Sequence, residues 1–270
     1  MQFAKVQACG NDFLIVESPL QSDADQKLAR KLCERHIGIG ADGVEFLENT
    51  GPLAGRIRLA NADGGIAEIS GNGTRCVAAW IAHKENASPG ATVTLTTDAG
   101  PRTCRIVSRE GSHFRIGAGM GVPEVRQTQV ALADRTVVYG TYVSMGNPHF
   151  VIIVNDQNFR AHNRGWQELG KEICFHKDFP QQINVLFFRM TRADEIEIRI
   201  FERGVGPTTS SGTGTCASAA ALIAFSGGKS PVTVHAPGGA QQVDWSGPGA
   251  EMTLTGPADL IAAGEILLAG

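Results

Sequence analysis

The chain has 270 residues, with 24 Lys/Arg against 27 Asp/Glu, a formal net charge of −3 at pH 7 and 42% hydrophobic residues. That balance leaves no electrostatic footprint for nucleic acid, and no Lys/Arg run appears. No apolar run nears the ~18 residues of a membrane span and no charged segment leads into an apolar core at the start, so a soluble, cytoplasmic chain with neither nucleic-acid nor membrane partner is expected.

In chain order, Gly10-Asn11-Asp12-Phe13 opens a strand-like run at 13–17. Residues 23–36 give the clearest helical signal, with Asp23 or Asp25 available as a cap, Leu28, Leu32 and Cys33 on one face and Gly38 as a stop. A strand at 57–60 leads through Asn61-Ala62-Asp63-Gly64 to Ser70-Gly71-Asn72-Gly73-Thr74-Arg75-Cys76, a Gly-rich loop opening an alanine-rich helix. Strands at 93–97 and 114–116 follow. Next come strands at 137–143 and 150–154 around Gly146-Asn147-Pro148-His149, a helix after Trp166, and strands at 185–188 and 196–201. Glu202-Arg203-Gly204 then leads to Ser211-Gly212-Thr213-Gly214-Thr215-Cys216, a second alanine-rich helix, and strands at 232–235 and 252–254.

The second half repeats the first. Ser70 and Ser211 stand 141 positions apart, the strands entering their loops keep about that offset, Val93-Thr94-Leu95-Thr96 is echoed by Val232-Thr233-Val234-His235, and Gly10-Asn11 by Gly146-Asn147. At this length, two similar domains are expected. The pattern predicts an α+β fold of two pseudo-symmetric domains, each an antiparallel-rich sheet wrapped around a central helix. They comprise residues 1–122 with a returning strand at 259–270, and residues 123–258, meeting near 117–123. The two central helices are nearly free of charge and should be buried.

A Gly-rich loop opening a helix aims free N–H groups and the positive end of the helix dipole at an anion. Two such loops facing one cleft would hold one anion from both sides. If that anion is an α-carboxylate, they stabilise the charge that develops as the α-proton leaves, with Ser70 and Ser211 on opposite faces of the α-carbon. No cofactor is expected, since the sequence offers no recognisable electron-sink site. Blander readings stand beside these roles: Asn11 and Asn147 as turn residues, His149 as a satisfied loop histidine, Glu202-Arg203 as a structural ion pair. The six cysteines show neither C-x-x-C nor a zinc-type cluster, so no metal is expected, and Cys76 and Cys216 read as packed core thiols. Gly227-Gly228-Lys229-Ser230 lacks the first glycine of a phosphate loop, Ile223 standing there, and reads as a turn.

Taken together, Gly10-Asn11-Asp12-Phe13, Asn61-Ala62-Asp63-Gly64, Gly71-Asn72-Gly73-Thr74-Arg75-Cys76, Gly146-Asn147-Pro148-His149, Glu202-Arg203-Gly204 and Gly212-Thr213-Gly214 resemble the diaminopimelate epimerase family, in order and over essentially the whole chain. The resemblance implies a cofactor-independent isomerase that interconverts LL- and meso-diaminopimelate on the route to lysine and peptidoglycan, acting as a cytoplasmic homodimer. Carried over by position, Asn11, Asn61, Asn147, Asn184, Glu202 and Arg203 would bind the substrate. Gly71-Asn72 and Gly212-Thr213 would cradle the reacting carboxylate, and His149 and Glu202 would tune the two bases.

One departure falls on the chemistry itself. Where the family carries its two catalytic cysteines, this chain has Ser70 and Ser211. A thiol is brought to a usable thiolate by helix N-termini and neighbours, whereas a hydroxyl is a far weaker acid, and each pKa unit of mismatch is about tenfold in the ionised form. The ordinary thiol pair therefore cannot operate unaltered. Three explanations stand: replacement to trap a ligand, serines working with strong neighbouring bases, or a relative that acts as an isomerase or racemase on another small acid or merely binds one. Pro207, where the family usually has Glu, and Gly43, where some members carry Gln, are smaller departures.

Overall fold

The computed structural model describes residues 1–267 except Pro19, Gln21 and Glu68, and only the backbone of Ser22 and Asp23. The chain divides into two units, Met1–Gly119 with the stretch from Thr255, and Met120–Leu254. The first contains β1 (Gln2–Ala8), β2 (Asn11–Glu17), α1 (Ser22–Cys33), β3 (Gly43–Gly51), β4 (Ala54–Asn61), β5 (Ile66–Ala67), α2 (Gly71–Lys84), β6 (Thr92–Thr97), β7 (Gly100–Glu110) and most of β8 (His113–Gly121). The second contains β9 (Glu124–Ala131), β10 (Val137–Ser144), β11 (Pro148–Ile153), α3 (Trp166–Cys174), β12 (Asn184–Arg192), β13 (Glu195–Glu202), β14 (Gly206–Thr208), α4 (Gly212–Phe225), β15 (Val232–Ala236) and β16 (Gly239–Asp244). The last strand, β17 (Met252–Glu265), runs antiparallel to β1 from Asp259, opposite Gln7, to Glu265, opposite Gln2.

The same connection pattern occurs in both units. In the first, antiparallel β1 and β2 lead through α1 to β3, parallel to β2; β3 and β4 pair antiparallel, and α2 carries the chain from β4 to β6, parallel to it. In the second, β10 and β11 pair antiparallel, α3 connects β11 to parallel β12, and α4 connects β13 to parallel β15. Parallel neighbours need such crossovers, which is why helices sit at these points in an otherwise antiparallel fold.

Each Gly-loop helix lies in a core of its own. Strand β6 shows the cause: Val93 and Leu95 point inward while threonines alternate outward. They pack with Cys76, Val77, Ala78 and Ala79 of α2 and with Ile15, Leu47 and Leu59 of the surrounding strands. Around α4, Cys216, Ala217, Ala220 and Leu222 meet Leu186, Ile198, Ile200 and Val234. Small residues on every side of α4 let strands approach all around it, so the helix is buried along nearly its whole length. α1 packs Ala29, Leu32 and Cys33 on Leu14, Val16 and Phe46, and α3 packs Leu169 and Ile173 among Phe150, Phe187 and Phe201.

All ten strand-like runs fall in strands, Val154 alone lying one residue past β11. Helices follow both loops as expected, and the helix expected after Trp166 begins at Trp166 itself. The 23–36 helix differs at both ends: it starts at Ser22, so Asp25 lies inside its first turn rather than at the cap, and it ends at Cys33. The Asp23 side chain and residues 268–270 of the expected C-terminal strand lie outside the described residues. Gly38 stands five residues beyond the helix, where an added Cβ would sit 2.2 Å from the Lys31 carbonyl oxygen. The expected runs do not include β1, β3, β5, β7, β9, β14 or β16. β3 is buried on both faces through Leu47 and then exposed, and β7 carries three arginines, Arg102, Arg105 and Arg109, none of them buried.

Candidate active site

Both loops form the same local structure, a serine at the N-cap of a buried helix. Ser70 has extended backbone (φ −123°, ψ 124°), and its Oγ accepts the N–H of Gly73 at 3.1 Å. Ser211 (φ −151°, ψ 121°) accepts the N–H of Gly214 through Oγ at 3.2 Å. In each case the threonine four positions on, Thr74 or Thr215, bonds through its backbone N–H to the serine carbonyl, at 2.8 and 2.9 Å. The first N–H groups of each helix have no intrahelical acceptor and carry the positive end of the dipole. Neither helix has an acidic residue in its first turn to offset that field.

The third position of each loop must be glycine for want of space. A Cβ on Gly73 would lie 2.0 Å from Oε1 of Glu45, and one on Gly214 would lie 2.8 Å from Cδ2 of Leu186. Glycine there lets the strand beneath the helix come close enough to seal the core under the loop.

In the first unit the loop is braced by Arg75, which is fully buried. Its guanidinium donates to the Gly71 carbonyl at 3.1 Å and to Asn72 Oδ1 at 2.7 Å, with Nε 3.5 Å from the Pro257 carbonyl. A positive charge is thus held one turn inside the N-terminus, adding to the pull on an anion. Asn72 Nδ2 donates to Asn11 Oδ1 at 3.3 Å, and Asn11 Nδ2 donates to Asp42 at 2.8 Å. Asn11 owes its place to the hairpin before it: Cys9 (φ 54°) and Gly10 (φ 78°) both adopt left-handed backbone, the signature of a two-residue I′ turn. Asn61 is exposed at the end of β4, opposite Gly43, and its N–H bonds to the Gly65 carbonyl at 2.8 Å.

The second unit gathers more of the expected residues. His149 is fully buried, with Nδ1 3.3 Å from the Val143 carbonyl, so Nδ1 carries the hydrogen and Nε2 is an acceptor. Nε2 lies 3.2 Å from Thr213 Oγ1 and 3.4 Å from Asn184 Nδ2. Asn147 Nδ2 donates to the same Thr213 hydroxyl at 3.3 Å, and Asn184 Oδ1 accepts the backbone N–H of Arg203 at 3.0 Å. Burial pushes His149 down to about 4 despite its backbone hydrogen bonds, with Arg203 adding to the fall, so it is neutral at pH 7. Glu202, by contrast, is pushed up by burial, while the Ser211 hydroxyl, donating to its carboxylate, holds it back. The side chain of Arg203 is exposed, with NH1 3.4 Å from the Gln181 carbonyl.

The register exposes an asymmetry beneath the repeat. In the first unit Phe13 of β2 lies opposite Gly43 of β3, and Gly43 opposite Asn61 of β4; in the second, His149 of β11 lies opposite Asn184 of β12. Shifted by the 141 positions that separate the serines, Gly43, Glu45 and Asn61 correspond to Asn184, Leu186 and Glu202. The histidine–asparagine–glutamate group of the second unit therefore has Phe13, Gly43 and Asn61 as its counterparts in the first.

Sequence reasoning missed Arg75, Asp42 and Glu45. Arg75 carried no signal beyond its place inside the Gly71–Cys76 motif, and Asp42 carried none; Glu45 carried one, a lone acid inside Gly43-Val44-Glu45-Phe46-Leu47. The cysteines sit as expected: Cys76 and Cys216 are fully buried, and burial raises the Cys76 thiol. Among the described residues no group of three or more His, Cys, Asp or Glu is placed to hold a metal ion, and no helix is long and apolar enough to cross a membrane.

Known proteins match this arrangement closely. The sequence profile of the family described as diaminopimelate epimerase matches residues 3–125 and 141–261. A diaminopimelate epimerase of Halothermothrix orenii is 36% identical, over 99% of this chain and 98% of its own. One from Picosynechococcus sp. is 35% identical, over 99% of each. Among solved structures, a predicted epimerase from Pseudomonas aeruginosa superposes with a TM-score of 0.74 at 19% identity, covering 99% of both chains. A probable proline racemase from Agrobacterium radiobacter reaches 0.74 at 16% identity, covering 99% of this chain and 93% of its own, so these two show a shared fold. With the profile spanning both halves and relatives above 30% identity over nearly the full length, the chain belongs to the diaminopimelate epimerase family.

Proposed function

We propose that this protein interconverts LL- and meso-diaminopimelate by removing the α-proton on one face and returning a proton on the other, without an electron-sink cofactor. The observation that carries this reading is the duplicated serine cap. Each unit presents a serine hydroxyl at the positive N-terminal end of a buried helix with no acidic residue in its first turn, an arrangement that suits an α-carboxylate and makes Ser70 and Ser211 the two candidate proton-transfer groups. Gly71-Asn72 and Gly212-Thr213 cradle that carboxylate; Asn11, Asn61, Asn147, Asn184, Glu202 and Arg203 bind the remaining polar groups. Neutral His149 and raised Glu202 tune the Ser211 side. A related isomerase or racemase acting on another small acid is favoured by the two serines and Pro207.

One experiment separates these readings. Each diaminopimelate isomer is incubated with the protein in deuterium oxide and followed by proton NMR. The epimerase reading expects deuterium at the α-carbon of both isomers together with their interconversion. Ligand-induced stabilisation without exchange would mark a protein that only binds. Double-bond migration in an unsaturated acid, with both diaminopimelates left unexchanged, would mark the alternative.

The reading also includes a cytoplasmic homodimer. Supporting a dimer, Tyr139, Ile153 and Phe225 of the second unit stand exposed around one open groove. Sedimentation should give twice the chain mass of 28.6 kDa, and Ile153→Glu should shift the protein toward monomer; a parent that sediments as a monomer contradicts this part.

A further inference from the structure

Glu45 occupies a place where the fold accepts an apolar side chain. It lies in β3 between Ile15 of β2 and Leu59 of β4, is 1% exposed, and neither carboxyl oxygen has a hydrogen-bond partner. Its counterpart in the second unit, 141 positions on, is Leu186, which fills the same space under the other loop. Packing alone therefore does not call for an acid at this site, and a buried, unsatisfied carboxyl that the fold does not need points to chemistry.

Its position says which chemistry. A Cβ added at Gly73 would be crowded by two side chains at once, Glu45 with Oε1 at 2.0 Å and Ser70 with Cβ at 3.3 Å. The carboxyl thus reaches the underside of the loop whose cap is Ser70. The Ser70 oxygen accepts the Gly73 N–H, and since neither Glu45 oxygen has a hydrogen-bond partner, handing on the Ser70 hydroxyl hydrogen requires one of the two side chains to turn toward the other. In the second unit Ser211 already donates to a carboxylate, that of Glu202. In the first unit the position matching Glu202 is Asn61, which cannot accept a proton in that way, and Glu45 is the acid that approaches the loop instead.

We propose that Glu45 is the proton acceptor behind Ser70, so that each serine works against a carboxyl and neither needs to ionise alone. This rests on the epimerase reading above. In the forward step the substrate Cα–H bond breaks, its electron pair remaining on the substrate and its proton bonding to Ser70 Oγ, while the original Ser70 O–H proton passes to the Glu45 carboxylate. On the other face Ser211 gives its hydroxyl proton to the α-carbon and recovers one from the Glu202 carboxyl. The enzyme ends with Glu45 protonated and Glu202 ionised, the form that runs the reverse reaction. Glu45 acts through Ser70 and so is a positioning and relay residue rather than one that touches substrate.

The surroundings support a carboxyl that changes charge within the working range. Burial pushes Glu45 up to about 8, with no cation opposing the effect. Cys76 of α2 is the titratable neighbour whose ionisation Glu45 disfavours, the adjacent Arg75 guanidinium is committed to Gly71, Asn72 and Pro257, and the flanking strands contribute Ile15 and Leu59.

The test compares full-length parent, Glu45→Leu, Glu45→Gln and Glu45→Asp for diaminopimelate interconversion across pH, ligand affinity and urea unfolding. Expected are a fall of roughly a hundredfold or more in rate for the Leu and Gln variants with affinity within about twofold of the parent, and loss of the parent's rate ionisation near 8. The Asp variant keeps a carboxyl and should be faster than Gln. Stability should move the opposite way. Folded Glu45 holds a proton that the unfolded chain releases near the ordinary glutamate value of 4.5, so parent stability falls as pH climbs from there to about 8. The Leu variant lacks that fall, and its unfolding midpoint should exceed the parent's by a margin that widens over the same window. Leu and Gln variants that keep the parent rate and pH profile would overturn the relay. A parent that exchanges neither isomer would overturn the epimerase reading and the relay with it.

Discussion

Ser70→Ala and Ser211→Ala should each lower diaminopimelate interconversion by roughly 10²–10⁴-fold, the range for loss of one positioned proton-transfer group. Complete turnover needs a proton acceptor on one face and a donor on the other, so neither serine substitutes for its counterpart. Each variant also loses the oxygen that accepts the Gly73 or Gly214 N–H, an N-cap bond whose removal costs about 1 kcal/mol of stability. That cost is small enough for both to fold, because the helices below are held by their buried alanine, valine and leucine contacts. Ser211→Ala carries a further signature. Without that hydroxyl only Thr208 is left to hold Glu202 back against burial, and Glu202 should titrate higher than in the parent. Deuterium exchange rates, ligand calorimetry and a carboxyl titration followed by NMR measure the three effects, and parental rates in either alanine variant would remove the serines from the reaction.

Arg203→Ala should weaken diaminopimelate binding by roughly 10–100-fold, the worth of a charge-assisted hydrogen bond of about 1.5–3 kcal/mol to the carboxylate remote from the reacting carbon. The guanidinium is exposed, and its recorded protein contact is one carbonyl at 3.4 Å, so its loss does not disturb the core. The bond that Arg203 makes to Asn184 uses the backbone N–H, which alanine retains, so the Asn184–His149–Thr213 network survives. Calorimetry on parent and variant decides it: equal affinities would contradict the role given to Arg203, while unaltered urea unfolding would show that the fold is intact.

The three explanations left open by the paired serines are narrowed by what stands near them. Glu202 belongs to the motifs that carry the family resemblance and would stand beside Ser211 under any of the three, whereas Glu45, unsatisfied beneath the Ser70 loop, lies outside those motifs. This favours serines working with strong neighbouring bases, and the Glu45 variants put that choice to experiment.

The sequence by itself determined the repeat, the two loops, the helices they open and most strands of both cores. These are local matters: glycine spacing, alternation of apolar residues and the absence of charge are visible one window at a time. It determined the family for the same reason, since the motifs are short and lie in order. Only the tertiary structure decided the charge states. Arg75 follows the Gly loop as an ordinary polar residue and proves fully buried, because β17 brings the Pro257 carbonyl to it from 182 residues away. His149 is neutral because its ring is sealed between β10 and α4, and Glu45, a lone acid in an otherwise apolar stretch, is enclosed because parallel β2 and antiparallel β4 flank it while α2 lies over it. Burial comes from elements distant in sequence, and desolvation is what moves a carboxyl or an imidazole away from its ordinary range, so no local pattern could announce it.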